Sequence, residues 1–272
     1  MKRIVSLICL ICMLLSVNVF ADTKVVSFSD VPSNHWAYEH IMDVAKNGYI
    51  VGTSEVINGV GTFEPNKSMT RAEMLAVVMR ITFPNETIGL KTTGEKWWSS
   101  IYDLAVNKGI LAAEEFENGN MDAICTREEM ATIVVRGFEV HQVGLMERMP
   151  GAKVPDFESI SYKHMRDVFK AYSIGVVGGV DENGTFSPKS PINRASAAII
   201  LYRLYNEDSR LEVDFELTEK DKEVIEAYKS KHTVYLGGVP GPDSLESDLI
   251  DLMLWGGLIY GDIDFNDRKV GN

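Results

Sequence analysis

Thr70-Arg71-Ala72-Glu73, Thr126-Arg127-Glu128-Glu129 and Asn193-Arg194-Ala195-Ser196 open three amphipathic runs spaced about sixty residues apart, and a unit repeated at that period decides the fold. Each phrase is preceded by a shorter apolar segment that ends in glycine: Gly48-Tyr49-Ile50, Gly109-Ile110-Leu111 and Gly175-Val176-Val177. Each is followed by apolar residues at helical spacing: Met74, Val77, Val78 and Ile81; Met130, Ile133, Val134 and Phe138; Ala197, Ile200, Leu201 and Leu204. The pattern predicts an all-α chain of helix–loop–helix units over residues 28–84, 90–140 and 154–205.

The phrase carries its own chemistry. Thr70 with Glu73, and Thr126 with Glu129, have the spacing of a capping box. Asn193 can cap as well, but Ser196 is a poorer return partner. Arg71, Arg127 and Arg194 fall at the first helical position, where the helix end already carries partial positive charge. One arginine there is noise, and three at one repeat position suggest a use. Two uses are open: an ion pair to a carboxylate such as Asp30 or Asp156, or capture of an anion by guanidinium and free N–H groups together.

The units are not identical. The first opens Phe28-Ser29-Asp30-Val31-Pro32, the third Val154-Pro155-Asp156-Phe157, and the second lacks the aspartate, reading Leu90-Lys91-Thr92-Thr93. Ser33 or Asn34 is expected to cap a first helix carrying Trp36, Ile41, Val44 and Ala45. Trp97 and Trp98 take the place of Trp36 in the second unit, and Lys163 takes it in the third. Gly61-Thr62-Phe63-Glu64-Pro65 matches Gly184-Thr185-Phe186-Ser187-Pro188.

Residues 1–21 form a separate segment. Lys2 and Arg3 precede an apolar run from Ile4 to Val17, and Val19-Phe20-Ala21 fits a cleavage site, as in a secretory signal peptide. The run is short for a membrane span of about 20 residues. Cleavage after Ala21 leaves Cys125 as the sole cysteine, so no internal disulfide can form, which suits an exported bacterial protein. It also moves the formal charge from −12 to −14, with 25 basic against 39 acidic side chains. A nucleic-acid partner is excluded by that sign. An acidic polymer would have to be attracted locally, inside a Debye length of about 8–10 Å.

Residues 207–272 are acidic and less regular. Thr218 to Lys231 reads as a surface helix with Thr218 and Asp221 as its cap, residues 237–242 as a turn, and 248–261 either as a degenerate half unit or as a chance likeness. His35, His40, His141, His164 and His232 show no metal-ligand spacing. Asp181-x-Asn183-Gly184 and Asp262-x-Asp264-x-Asn266 lack the closing glutamate of a calcium loop. No nucleophile elbow, phosphate loop or dinucleotide fingerprint occurs, so neither an enzyme nor a cofactor is expected.

Phe-Ser-Asp-Val, His35-Trp36, Gly48-Tyr49-Ile50-x-Gly52, Gly61-Thr62-Phe63-x-Pro65 and Thr70-Arg71-Ala72-Glu73 together resemble the surface-layer homology (SLH) repeat of bacterial cell-envelope proteins. The resemblance covers about residues 28–205, strongest in the first unit and weakest in the second. It implies three repeats in a pseudo-threefold bundle and a secreted, noncatalytic protein held at the cell wall or cell surface. The implied partner is a secondary cell-wall polysaccharide, often bearing ketal-linked pyruvate, bound in grooves between repeats. Arg71, Arg127 and Arg194 would meet the pyruvate carboxylate or support the groove. Asp30 and Asp156 would orient sugar hydroxyls or the arginine. Trp36 and Trp97 would face a sugar ring, a role that competes with ordinary core packing. Gly52 and Gly179 would allow close backbone approach, and Ala113 stands at that position in the second unit. These departures favour the sites built around Arg71 and Arg194. The alternative is a structural protein that docks other envelope proteins, its arginines only locking the bundle.

Overall fold

The computed structural model describes residues 27–91, 96–113, 115–116, 119–139 and 153–213, with 218–220, 222–223 and 227 beyond them. The leader at 1–21, the opening of the second unit at 92–95, and the readings of the C-terminal segment beyond 227 lie outside the described residues, as does Asp221.

The described chain is helical. It holds α1 (Tyr38–Lys46), α2 (Arg71–Thr82), α3 (Pro84–Thr87), α4 (Ser99–Asn107), α5 (Arg127–Glu139), α6 (Tyr162–Ser173) and α7 (Arg194–Tyr205), with 3-10 turns at Phe157–Ser159 and Glu207–Ser209. Two-residue strands β1 (Ser27–Phe28) and β2 (Val60–Gly61) pair in parallel. Among the described residues no helix is long and apolar enough to cross a membrane.

The expected caps form at the three long helices. The Glu73 N–H donates to Thr70 Oγ1 at 3.1 Å while the Thr70 N–H donates to Glu73 Oε2 at 2.8 Å. Thr126 and Glu129 repeat the exchange, and Asn193 Oδ1 accepts from the Ser196 N–H. Phe83, ahead of Pro84, ends α2. The cap predicted for α1 is different. Ala37 occupies the cap position, and its N–H donates to His35 Nδ1 at 3.1 Å. The helix therefore starts after Trp36 and does not carry it. Gly48, Gly109 and Gly175 end the short helices with φ of +72°, +74° and +70°, a conformation that a side chain resists.

Each short helix packs chiefly on the long helix of a different unit. α1 lies against α7, α4 against α2, and α6 against α5; α2 and α5 also pack together. At that last crossing a Cβ on Gly137 would stand 2.5 Å from Val78 Cγ1, so only glycine permits the approach. The stretches leading into the long helices meet in a closed ring of main-chain hydrogen bonds. The Met69 N–H donates to the Ile192 carbonyl, Ile192 to Cys125, and Cys125 back to Met69, at 2.9 to 3.0 Å. All three side chains are buried, and burial pushes the Cys125 thiol well above its ordinary pKa, keeping it a protonated apolar group.

Candidate functional site: the arginine seams

The first helical residue of each long helix reaches out of its own unit into the next. Its N–H donates to a neighbouring carbonyl: Arg71 to Ala123, Arg127 to Ser190 and Arg194 to Lys67, all near 3.0 Å. Its guanidinium follows. Arg127 Nε donates to the Phe186 carbonyl at 2.7 Å and its Nη2 to the Gly178 carbonyl at 3.3 Å. Arg194 does the same with Phe63 and Val51, both at 2.7 Å. Each guanidinium also lies over the ring of the phenylalanine whose carbonyl it grips, 5.0 Å from Phe186 and 4.6 Å from Phe63. Face contact with a cation is worth about 0.5–2 kcal/mol depending on desolvation.

Asp30 and Asp156 sit on the far side of the same peptides. Asp30 accepts the Phe63 and Glu64 N–H groups at 2.8 and 2.7 Å, and Asp156 accepts those of Phe186 and Ser187, both at 2.8 Å. Glu64 and Ser187 hold φ of +57° and +56°, so the carboxylate braces a turn in the left-handed region. The aspartates are thus neighbours of the arginines through one peptide, not hydrogen-bonded ion-pair partners. Burial lowers the pKa of Arg127 and of Arg194. Tyr172 and Asp156 oppose this at the first, and Glu73, Glu64 and Asp30 at the second.

The Arg71 seam is built otherwise. Its Nε and Nη2 grip both oxygens of Glu129 at 3.1 and 2.5 Å, while Nη1 donates to the Asn120 carbonyl at 3.0 Å. Phe116 lies beneath at 5.1 Å. Where the other seams have Phe63 and Phe186, this one has Gly119, with φ +67°. Burial resists charge on Glu129, but the Arg71 and Thr126 hydrogen bonds outweigh it and hold the carboxyl below its ordinary value. Here the arginine charge is neutralised inside the protein, so the ion-pair use predicted for these residues is realised, with Glu129 in place of Asp30 or Asp156. Among the described residues, Arg127 and Arg194 have no carboxylate hydrogen bond.

All three arginines are only 7–8 % exposed. Trp36 is 62 % exposed and stacks on His35, and Trp97 is 51 % exposed, so neither is a core aromatic. Trp98 is half-buried and donates Nε1–H to Asp122 at 2.8 Å. Gly52 and Gly179 permit a close approach, but of the chain to itself. A Cβ on Gly52 would stand 2.8 Å from the Thr62 carbonyl, and one on Gly179 would stand 2.3 Å from Gly184. Glu128 went unnoticed in the sequence because its place in the phrase is alanine in the other copies. It accepts the Ser161 N–H and hydroxyl and the Lys189 ammonium, tying α5 to the start of α6.

The S-layer homology domain model matches residues 27–75 and 156–198, the two segments that contain the braced Phe63 and Phe186 turns. The chain is 29% identical over 191 residues to an amylopullulanase of Thermoanaerobacterium thermosulfurigenes, covering 68% of the chain and 10% of that protein. It is 29% identical over 192 residues to an exoglucanase of Acetivibrio thermocellus, covering 69% and 17%, and 27% identical over 180 residues to an S-layer protein of Bacillus thuringiensis subsp. finitimus, covering 63% and 20%. It therefore spans between a tenth and a fifth of the length of these relatives. The chain carries two segments of the S-layer homology type and is a cell-surface or cell-wall protein. The stretch between the two matched segments holds Phe116, Asn120 and Glu129, the residues that receive Arg71.

Proposed function

We propose that this chain is a noncatalytic anchor that holds to an anionic secondary cell-wall polysaccharide through the seams at Arg194 and Arg127. The observation that carries the reading is the pair of buried guanidiniums, each fixed by two carbonyls and a phenylalanine face and left without a directly bonded carboxylate. Their remaining N–H groups suit a planar carboxylate such as that of a pyruvylated sugar. Carbonyl ligands hold the cation in place without neutralising it. The closed Met69–Ile192–Cys125 ring supports a pseudo-threefold arrangement of the three units, in which these seams are equivalent positions. Exposed Trp36 offers an apolar face to a sugar ring.

A second reading is favoured at one seam only. Arg71, closed on Glu129, serves the bundle, and a docking role for other envelope proteins needs no anion there. Sedimentation with purified wall sacculi, before and after removal of the polymer or of its pyruvate, separates the readings. Wild type is expected to sediment only with intact sacculi. Arg194→Gln and Arg127→Gln should each weaken that binding while keeping the helical circular dichroism of wild type. Sedimentation that ignores polymer and pyruvate alike sinks the glycan reading.

A further inference from the structure

The Arg127 and Arg194 seams match atom for atom at the guanidinium, but their walls differ. The carbonyl gripped by Arg194 Nη2 belongs to Val51, an aliphatic residue that is 60% exposed. The carbonyl gripped by Arg127 Nη2 belongs to Gly178, which offers no side chain. The place is filled from elsewhere. A Cβ on Gly178 would stand 2.7 Å from Leu211 Cδ1, the only atom near it. Leu211 arrives on a strap that follows α7. Its N–H donates to the Gly175 carbonyl at 2.9 Å, whereas a Cβ on Gly48, the counterpart of Gly175 in the first unit, meets nothing within 4 Å. Arg210 pins the strap by donating to the Arg203 and Leu204 carbonyls at 3.2 Å, its guanidinium over the Phe138 ring at 5.3 Å.

We infer that Leu211 is a wall residue of the Arg127 seam, supplying from the strap that follows α7 the aliphatic surface that Val51 supplies at the Arg194 seam, and so helps determine what the Arg127 seam accepts. The inference rests on the reading that the seams take a glycan. It extends the anchor beyond the last repeat helix, at least to Leu211. Gly178 lies outside the left-handed region, so a side chain can be restored there without backbone strain.

The test uses the full chain and sacculi carrying a pyruvylated polysaccharide. Leu211→Gly should weaken sedimentation roughly tenfold, the lower end of the scale for a lost aliphatic contact in a binding pocket. Leu211→Asn, which keeps the branched shape but not the apolar surface, should weaken it similarly. Gly178→Val combined with Leu211→Gly should recover most of the loss, because the valine rebuilds the wall without rebuilding the strap. A purely structural strap gives no such rescue. If Leu211→Gly binds as wild type does, or if binding falls only with the folded fraction and Gly178→Val restores nothing, the wall assignment is overturned while the anchor reading stands. If wild type itself ignores the sacculi, both fall together.

Discussion

The Arg71 and Arg194 seams begin from phrases that share an Arg-Ala pair after a capping residue and end as opposite electrostatic solutions. At Arg194 the guanidinium is solvated by carbonyl dipoles and an aromatic face, and no described carboxylate is hydrogen-bonded to it. At Arg71 a glutamate from the next capping box closes on it through two oxygens. The difference lies in the receiving unit. Where an aspartate braces a Phe-containing turn, that turn presents its carbonyl to the arginine. The Arg71 seam instead receives its arginine with the Asn120 carbonyl and the Glu129 carboxylate. One repeated arginine can thus be a structural clamp in one place and a poised cation in another.

The largest expected break in this comparison is at the clamp. Arg71→Gln strands the nearly buried Glu129 carboxylate and should cost about 3–5 kcal/mol in urea unfolding, as breaking a buried pair does. Arg194→Gln and Arg127→Gln leave carbonyls under-satisfied and should cost about 1–3 kcal/mol. Equal losses at all three would show that the seams are not distinct. Next comes the α2–α5 crossing behind the clamp: Gly137→Val forces a side chain into Val78 and should cost about 1–3 kcal/mol by the same measurement.

The clamp also concentrates pH dependence. His164, buried against Thr132 and stacked on Phe116, has its pKa lowered by burial first, with Lys163 adding to this and nearby carboxylates opposing it. Its folded value lies below the ordinary 6.5, so its contribution to stability is complete above 6.5 and is lost as pH falls from there toward the folded value. Glu129, held below 4.5, adds a second loss as pH falls below that ordinary value toward its own folded value. Thermal midpoints followed from about pH 7 to about pH 2 should fall in two stages, and His164→Asn should flatten the first while leaving the second. The smallest effect separates the caps. Thr70→Ala and Asn193→Ala should each cost about 1 kcal/mol, with Thr70 the larger by a few tenths because Glu73 returns its bond.

The helices, their caps and the repeat were legible because they depend on short-range signals: apolar spacing, Thr-x-x-Glu, and glycine at the helix end. The choice of arginines for the seams was legible too, since a cation at the first helical position is locally unfavourable. Their partners were not. Nothing local ties Arg194 to Phe63, 131 positions away, or shows that Glu129 serves Arg71 as well as its own cap. The departures among the units favoured sites around Arg71 and Arg194, whereas the proposed grip uses Arg127 with Arg194, because no carboxylate is hydrogen-bonded to either among the described residues. The cap of α1 was misplaced because a histidine ring nitrogen can do what Ser33 or Asn34 would have done, and no spacing rule announces it. Exposure of Trp36 follows from that shift.

The exchange of partners among the units has a consequence for how the chain reaches this state. A short helix that rests on another unit's long helix gains little from its own unit alone. Tyr205 meets Asp43 across 162 positions, so the loop that joins them must close before the contact exists. Closing it costs little more than closing a shorter one, because the entropy grows only with the logarithm of length, but the contact comes late and slows assembly. Folding by stages, one unit at a time, has no stable resting place here. The molecule is expected to gather and to come apart as a whole, and a grip on the wall that depends on two of its joints would be released in a single step.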